Sequence, residues 1–127
     1  MFTGLIPMLI CSDVQESIKF YNDAFGLEVA SRMDDVGKSG WAMLQKDGIK
    51  LMLASPHYFP DMPKVQDRYY QAQYYFYCDD LDALHKRVSG AGFEPTGIVE
   101  QPYGMREFEM PDRDGHLLIF GQDMGKG

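Results

Sequence analysis

The chain is poor in cysteine, in basic charge and in long apolar runs, and each shortage excludes a class of protein. Its two cysteines are too few for a disulfide-stapled domain, so we expect free thiols. Twelve Lys and Arg against 19 Asp and Glu give a formal net charge of −7, which argues against a nucleic-acid partner. No apolar run approaches the roughly 20 residues of a membrane-spanning helix, and no signal-type segment opens the chain. We therefore predict a cytoplasmic protein without membrane contact.

Signatures of nucleophilic catalysis and of nucleotide binding are also missing. The sequence has no Gly-x-Ser-x-Gly elbow, no P-loop, no dinucleotide fingerprint and no cysteine beside a suitable histidine. General acid or base work by Glu107, Glu109 or Tyr75 stays open, although their spacing does not single out a catalytic pair.

What the sequence does contain is an internal repeat with an offset of 67 residues. "CSDVQESIKFYNDAFGLE" from Cys11 resembles "CDDLDALHKRVSGAGFE" from Cys78, and "KDGIKLML" from Lys46 resembles "RDGHLLIF" from Arg113. The 127 residues fit one domain. We predict a single domain over 1–127 with a first module at 4–54, a connector at 55–71 and a second module at 72–122.

Each module is predicted to have the order βαβββ. Asp13 and Asp80 stand where helix N-caps are expected, and Gly26 and Gly92 stand where a left-handed C-cap needs glycine. Asp47-Gly48 predicts a two-residue type I′ hairpin turn. The strands are expected in "LIPMLIC" and "QYYFYC", at Glu28–Met33, Gly40–Gln45 and Ile49–Ala54, and at Pro95–Val99, Met105–Met110 and His116–Gly121.

The connector, "SPHYFPDMPKVQDRYYQA", contains three prolines and four aromatic residues without clear periodicity. Such a segment is typical of a surface crossover, and a lid or partner-gripping arm is the alternative.

The arrangement of the two modules resembles the vicinal oxygen chelate superfamily, which includes glyoxalase I, extradiol dioxygenases and bleomycin-resistance proteins. The resemblance runs from about Leu5 to Gln122, and its most specific segment is "YGMREFEMPDRDGHLLIF", in which Arg113 replaces the usual proline of the turn. It implies an α+β fold in which two tandem βαβββ modules form a cup of curved sheet, and a homodimer with its cups at or near the subunit interface.

In metal-using members of that superfamily, His, Glu or Gln ligands project from the first and last strands of each module. Carried over to this chain, the four positions are Ile6, Met52, Gln73 and Ile119. Three of them are apolar, and one Gln cannot hold a divalent ion, so we predict no metal and no cofactor. His116 lies three residues before Ile119 and should point to the opposite face. His57 and His85 lack a partner ligand at suitable spacing.

The cup should then be mostly apolar and aromatic, which suits a flat, partly aromatic or cationic small molecule. Pairing across Asp47-Gly48 sets Met43 opposite Met52 and Trp41 opposite Ala54, and the same register in the second module sets Arg106 and Phe108 on the face of Ile119. A three- or five-residue loop there would turn Glu107 and Glu109 inward instead. The predicted ligand-binding residues are Met8, Trp41, Met43, Met52, Gln73, Tyr75, Tyr77, Arg106, Phe108 and Ile119. For each aromatic or Met residue, ordinary core packing is the competing interpretation.

Three functional hypotheses remain. The first is a metal-free small-molecule binding protein of the bleomycin-resistance type, whose acidic charge would favour a cationic ligand. The second is a glyoxalase-like lyase, isomerase or dioxygenase that uses a displaced metal or acid-base catalysis. The third is an interaction module with a filled cup.

Overall fold

A computed structural model of the chain describes residues 1–34, 40–58 and 72–125. The chain divides into two compact units, Met1–Lys64 and Val65–Gly127, and each unit has the predicted βαβββ order. The first unit contains β1 (Met8–Ile10), α1 (Val14–Phe25), β2 (Glu28–Met33), β3 (Trp41–Lys46) and β4 (Ile49–Ala54), followed by a 3₁₀ turn at Pro56–Tyr58. The second contains β5 (Gln73–Tyr77), α2 (Leu81–Gly90), β6 (Val99–Glu100), β7 (Met105–Pro111) and β8 (Leu117–Asp123).

Both helices begin at the predicted aspartates. The Asp13 carboxylate accepts a hydrogen bond from the Glu16 backbone N–H at 3.1 Å, and Asp80 accepts one from Ala83 at the same distance. Each bond satisfies one of the backbone donors that the first turn of a helix leaves unpaired. α1 ends at Gly26, whose φ of 77° is the predicted left-handed C-cap.

The end of α2 differs by one position from the predicted cap. Its C-cap is Ala91, with φ −83°, and Gly92 follows at φ 95°. Gly92 still takes the conformation that favours glycine, and its N–H bonds the Ser89 carbonyl at 3.1 Å.

Each unit contains one four-stranded sheet with the same topology. The strand order is β1-β4-β3-β2 in the first unit and β5-β8-β7-β6 in the second. The first strand of each unit pairs in parallel with the last, and the remaining pairs are antiparallel. Each unit's helix packs on one face of its sheet, α1 against β2, β3 and β4 and α2 against β7 and β8. We call the other face of each sheet its open face.

β2 and β4 have the predicted bounds, and β3 and β5 differ from the predicted strands by one residue at their ends. The larger differences are in β1 and β6. β1 is shorter than the predicted run, and β6 consists of only two residues instead of Pro95–Val99. Beside β7, the Thr96 hydroxyl accepts from the Glu109 N–H at 2.9 Å, while the Thr96 N–H bonds the Glu109 carbonyl at 3.0 Å. The Thr96 hydroxyl thus takes the place of a backbone carbonyl as the acceptor for the Glu109 N–H, and the Thr96 carbonyl oxygen lies 2.9 Å from His85 Nε2.

The two hairpins that follow the repeat differ in loop length. Asp47 and Gly48 have φ of 52° and 86°, so the first hairpin has the predicted two-residue turn. In the second, Pro111 pairs with Leu117, which leaves a five-residue loop. The Asp112 carboxylate, on a residue only 6% exposed, organises this loop by accepting from the backbone N–H groups of Asp114 and His116, both at 2.9 Å.

The helix-covered faces hold the cores. In the first unit Leu9, Leu44 and Leu53 are buried beneath Val14 and Tyr21 of α1. In the second, Phe76, Phe120 and Phe108 stack with centroid separations of 4.8 and 5.1 Å, and His85 meets Phe108 edge-on at 4.9 Å.

Residues 59–71 of the connector lie outside the described residues, so its two interpretations stay predictions. In the part of the chain that is described, neither helix is long and apolar enough to cross a membrane.

Candidate functional site

The predicted site residues of the first unit lie together on its open face. Met8 pairs with Met52, Met52 pairs with Met43, and Trp41 pairs with Ala54, which confirms the predicted register across the first hairpin. Because side chains alternate along a strand, these residues point away from α1. The alternation is visible in the burial, since Met8 is 42% exposed while its neighbour Leu9 is 1% exposed.

The open face of the second unit carries Gln73, Tyr75, Tyr77 and Ile119. Tyr75 pairs with Ile119 and Tyr77 with Gly121 across the parallel β5–β8 ladder. Tyr77 is 82% exposed and Tyr75 is 37% exposed, and their rings lie 5.0 Å apart at an angle of 53°. The face therefore presents two adjacent tyrosine rings to its surroundings.

The prediction that Arg106 and Phe108 share this face is wrong. The five-residue loop shifts the register by an odd number of residues, so Glu107 pairs with Gly121 and Glu109 with Ile119. The alternative, in which the two glutamates turn inward, is confirmed. Phe108 is 1% exposed within the aromatic stack beneath α2.

Arg106 also lies on the side of α2. Its guanidinium donates to both carboxylate oxygens of Asp82, with each N···O distance 3.0 Å. This ion pair supplies the partner that an arginine next to a packed face requires. The guanidinium of Arg106 thus has its charge partner within the protein and does not need a ligand to supply one.

At the centre of the second unit's open face, two tyrosine hydroxyls converge on one carboxylate. Tyr75 donates to Glu107 Oε2 at 2.7 Å, and Tyr103 lies 2.9 Å from Oε1 and 2.8 Å from Oε2. Glu107 is 9% exposed, whereas Tyr103 is 64% exposed. We call Tyr75, Tyr103 and Glu107 the tyrosine–glutamate cluster.

Both phenols of the cluster are held in their protonated, donating form. Burial, followed by the hydrogen bond to Glu107 and the charge of Glu107, raises the pKa of Tyr75. The hydrogen bond to Glu107 is the largest cause that raises the pKa of Tyr103. A nearby negative charge opposes the formation of a second one, which is why a phenol beside a carboxylate retains its proton. The carboxylate therefore keeps two donors, and exposed aromatic rings lie beside it.

Gly121 makes the approach of Tyr75 to Glu107 possible. An added Cβ at this position would overlap the Tyr75 hydroxyl and lie 2.6 Å from its Cζ. The φ of Gly121 is not positive, so the requirement for glycine arises from space and not from backbone conformation. The absence of a side chain at Gly121 thus leaves the space that the Tyr75 hydroxyl occupies on the open face.

The face around the cluster is acidic. Strand alternation places Glu109 and Asp123 on the same side as Glu107. The basic residue of β7, Arg106, lies on the opposite side and is paired with Asp82. This part of the surface therefore favours a positively charged ligand.

The histidines have structural contacts consistent with the sequence-based interpretation. His116 closes the loop and its ring meets Tyr74 edge-on at 6.3 Å, on the side opposite Ile119. His85 Nε2 lies 2.9 Å from the Thr96 carbonyl oxygen, and His57 Nδ1 lies 2.8 Å from the Ser55 hydroxyl. Across residues 1–34, 40–58 and 72–125, no three His, Cys, Asp or Glu side chains come close enough to hold a metal.

Two members of this site escaped the sequence-based prediction. Tyr103 lies in the four-residue loop between β6 and β7, which Gln101 and Gly104 close, and loop residues carry no alternation signal. Gly121 follows an apolar strand run and resembles a simple strand end. The length of the Asp112 loop would have predicted that Glu107 lies on the open face, since loop length sets the register of a hairpin.

Comparison with protein families gives one match over most of the chain. The model of the glyoxalase/bleomycin resistance protein/dioxygenase superfamily matches residues 6–120. No curated protein sequence matches the chain closely enough to be considered related.

Solved structures with the same fold include two bleomycin-binding proteins. TioX from Micromonospora sp. ML1 has a TM-score of 0.77 at 20% identity, with 95% of this chain and 99% of that chain covered. A bleomycin-binding protein in complex with bleomycin has a TM-score of 0.74 at 19% identity, with coverages of 96% and 99%. The bleomycin-binding protein of Streptomyces verticillus, in complex with copper(II)-bleomycin, has a TM-score of 0.66 at 24% identity, with coverages of 99% and 98%. These likenesses establish the fold.

Proposed function

The chain belongs to the glyoxalase/bleomycin resistance protein/dioxygenase superfamily, and from this we propose that it binds and sequesters a flat, cationic small molecule. The proposed binding site is the part of the second unit's open face that surrounds the tyrosine–glutamate cluster. The observation that carries the proposal is the Glu107 carboxylate, 9% exposed, held by two phenols beside exposed rings.

The chemistry of this face supports a cationic ligand in two ways. A cation is attracted to the faces of aromatic rings, here Tyr75, Tyr77 and Tyr103, by about 0.5 to 2 kcal/mol depending on desolvation. The Glu107 charge adds a Coulombic attraction, which is strengthened because the carboxylate is shielded from water. Flat ligands gain further contact area on exposed tyrosine rings.

The related structures support a ligand of antibiotic type. Two of them are complexes with bleomycin or copper(II)-bleomycin, and both cover nearly the whole of this chain. The proposal also takes from the resemblance a homodimer and a site free of metal. Light scattering after size-exclusion chromatography tests the dimer.

The first experiment measures binding by calorimetry and by thermal unfolding. The probes are metal-free bleomycin and the planar cation proflavine, and the control probe is an anionic aromatic dye, 8-anilinonaphthalene-1-sulfonate. A ligand at 100 times its dissociation constant raises the free energy of unfolding by about 2.7 kcal/mol, a shift that thermal unfolding detects easily. We expect the cations to bind and the anion to bind more weakly.

Matched variants then locate the site. Glu107→Gln removes the buried charge and should weaken cation binding by about tenfold, or 1.4 kcal/mol. Glu109→Gln removes the same charge from the same strand and face, but this residue is exposed and should change the affinity less. Equal effects of the two substitutions, or cation binding unchanged by Glu107→Gln, would contradict the proposed site.

Turnover by a glyoxalase-like enzyme is the alternative function. Elemental analysis of protein purified without chelator tests it, because near-stoichiometric Ni, Zn, Mn or Fe would favour the enzyme.

Failure of both cations and the anion to bind would favour an interaction module.

A further inference from the structure

Three methionines form a continuous row across the open face of the first unit. Met8 of β1 is the direct partner of Met52 in β4, and Met52 is the direct partner of Met43 in β3. We call Met8, Met52 and Met43 the methionine row. We propose that the methionine row is a binding site for a soft monovalent metal ion, cuprous copper in the cell.

The register and burial place the three thioethers side by side. Neighbouring strands lie about 4.8 Å apart, and directly paired residues project to the same side of a sheet. The row lies on the open face, since Leu44 and Leu53, the strand neighbours of two of its members, are buried at 0% on the side of α1. Met43 and Met52 are partly buried, and Met8 is 42% exposed.

Methionine has a flexible side chain with three rotatable bonds, so three sulfurs on adjacent strands can turn toward one point. Thioether sulfur is a soft, neutral ligand that selects Cu(I) and discriminates against Mg²⁺ and Ca²⁺, which prefer oxygen. Packing does not require sulfur at these positions, because leucine has nearly the same volume and already fills the other side of the sheet. The bound ion keeps its charge among neutral ligands, and the net charge of −7 favours it.

Trp41 provides a built-in reporter. It is the chain's only tryptophan and precedes Met43 by two residues in β3, so it lies on the same face as the methionine row. A metal cation beside an indole face interacts with its π-system and alters its emission. The proposal is independent of the tyrosine–glutamate cluster, because the row lies entirely within the first unit.

The test uses Ag(I), a redox-stable probe with the same preference for sulfur. Thiolates bind soft ions more tightly than thioethers do, so the titration is made on the Cys11→Ala/Cys78→Ala protein, with its fold checked by circular dichroism. We expect saturable quenching of Trp41 emission at one ion per chain. Substituting the three row residues by leucine should abolish it, and Met52→Leu alone should weaken binding about tenfold or more, the loss of at least 1.4 kcal/mol.

Met124→Leu is the matched control, because Met124 is 43% exposed but lies in the second unit. It should leave the titration unchanged. Proton–carbon spectra of the Cys11→Ala/Cys78→Ala protein with labelled methionine methyl groups give a second measurement that needs no methionine substitution. The methyl signals of the methionine row should shift together when Ag(I) is added. A Cu(I) titration under reducing conditions should then shift the same signals. Unchanged Trp41 emission, equal quenching with and without the row, or shifts spread over all nine methionines would overturn the proposal.

Discussion

Replacing Gly121 by alanine should displace the Tyr75 phenol from Glu107 and destabilise the protein. The new Cβ would overlap the Tyr75 hydroxyl and approach Cζ to 2.6 Å and Cε1 to 3.0 Å, so the ring must move. Its hydrogen bond to the carboxylate, 2.7 Å long, would then be lost. A hydrogen bond to a charged group contributes about 1.5 to 3 kcal/mol.

The loss is partly offset because alanine in a strand is favoured over glycine by about 0.5 to 1 kcal/mol where the backbone is compatible, as it is here. We therefore expect Gly121→Ala to lower the free energy of unfolding by about 1 to 2 kcal/mol. In urea this corresponds to a midpoint lower by about 0.5 to 1 M with an unchanged slope.

Two further measurements and a control variant test whether the Tyr75 ring causes this loss of stability. In a Tyr75→Leu background the obstructing phenol is absent, so Gly121→Ala should be neutral or slightly stabilising. Tyrosinate absorbance should show one residue of the Gly121→Ala protein ionising closer to its ordinary pKa, near 10. Gly97→Ala, where a Cβ would meet no atom within 4 Å, is the control and should change stability little. An unchanged midpoint, or the same loss with and without the Tyr75→Leu change, would refute this account.

Two other predictions follow from the second unit. Asp112→Ala removes the acceptor of two backbone N–H groups in the five-residue loop and should lower the free energy of unfolding, measured in urea, by about 1 to 3 kcal/mol. The control is Arg113→Ala, at an exposed position in the same loop, which should change this free energy by less than about 0.5 kcal/mol. Equal effects of the two substitutions would show that the Asp112 carboxylate does not organise the loop. Folding raises the pKa of Tyr75 and of Tyr103, so the folded chain retains protons that the unfolded chain releases above pH ~10. Their stabilising contribution is complete below that pH and declines as the pH rises further, and urea midpoints should show a smaller decline for Tyr75→Phe; an identical decline would exclude the role of Tyr75.

Local signals predicted most of the fold. Asp13 and Asp80 cap their helices because an aspartate side chain reaches a free N–H of the first turn whatever lies around it. Asp47-Gly48 formed the predicted turn because both residues tolerate positive φ, and that turn alone fixes the pairing of Met43 with Met52. The repeat extended these local features to the topology of both units.

The candidate site could be predicted only in part. Tyr75 and Tyr77 follow from alternation along β5. Tyr103 does not, because a loop residue reaches Glu107 only through the path of its own loop. The requirement for glycine at 121 depends on a ring from another strand, which no local pattern records.

The sequence by itself thus determined the two modules, the N-caps of their helices and the first hairpin, since each depends on residues within a few positions of one another. Tertiary structure decided which face Glu107 and Phe108 occupy. The Asp112 loop sets that register through backbone hydrogen bonds, and an odd shift moves every side chain of β7 to the other side of the sheet. The acidic, tyrosine-lined face exists because the strand that carries Glu107 is shifted by that loop.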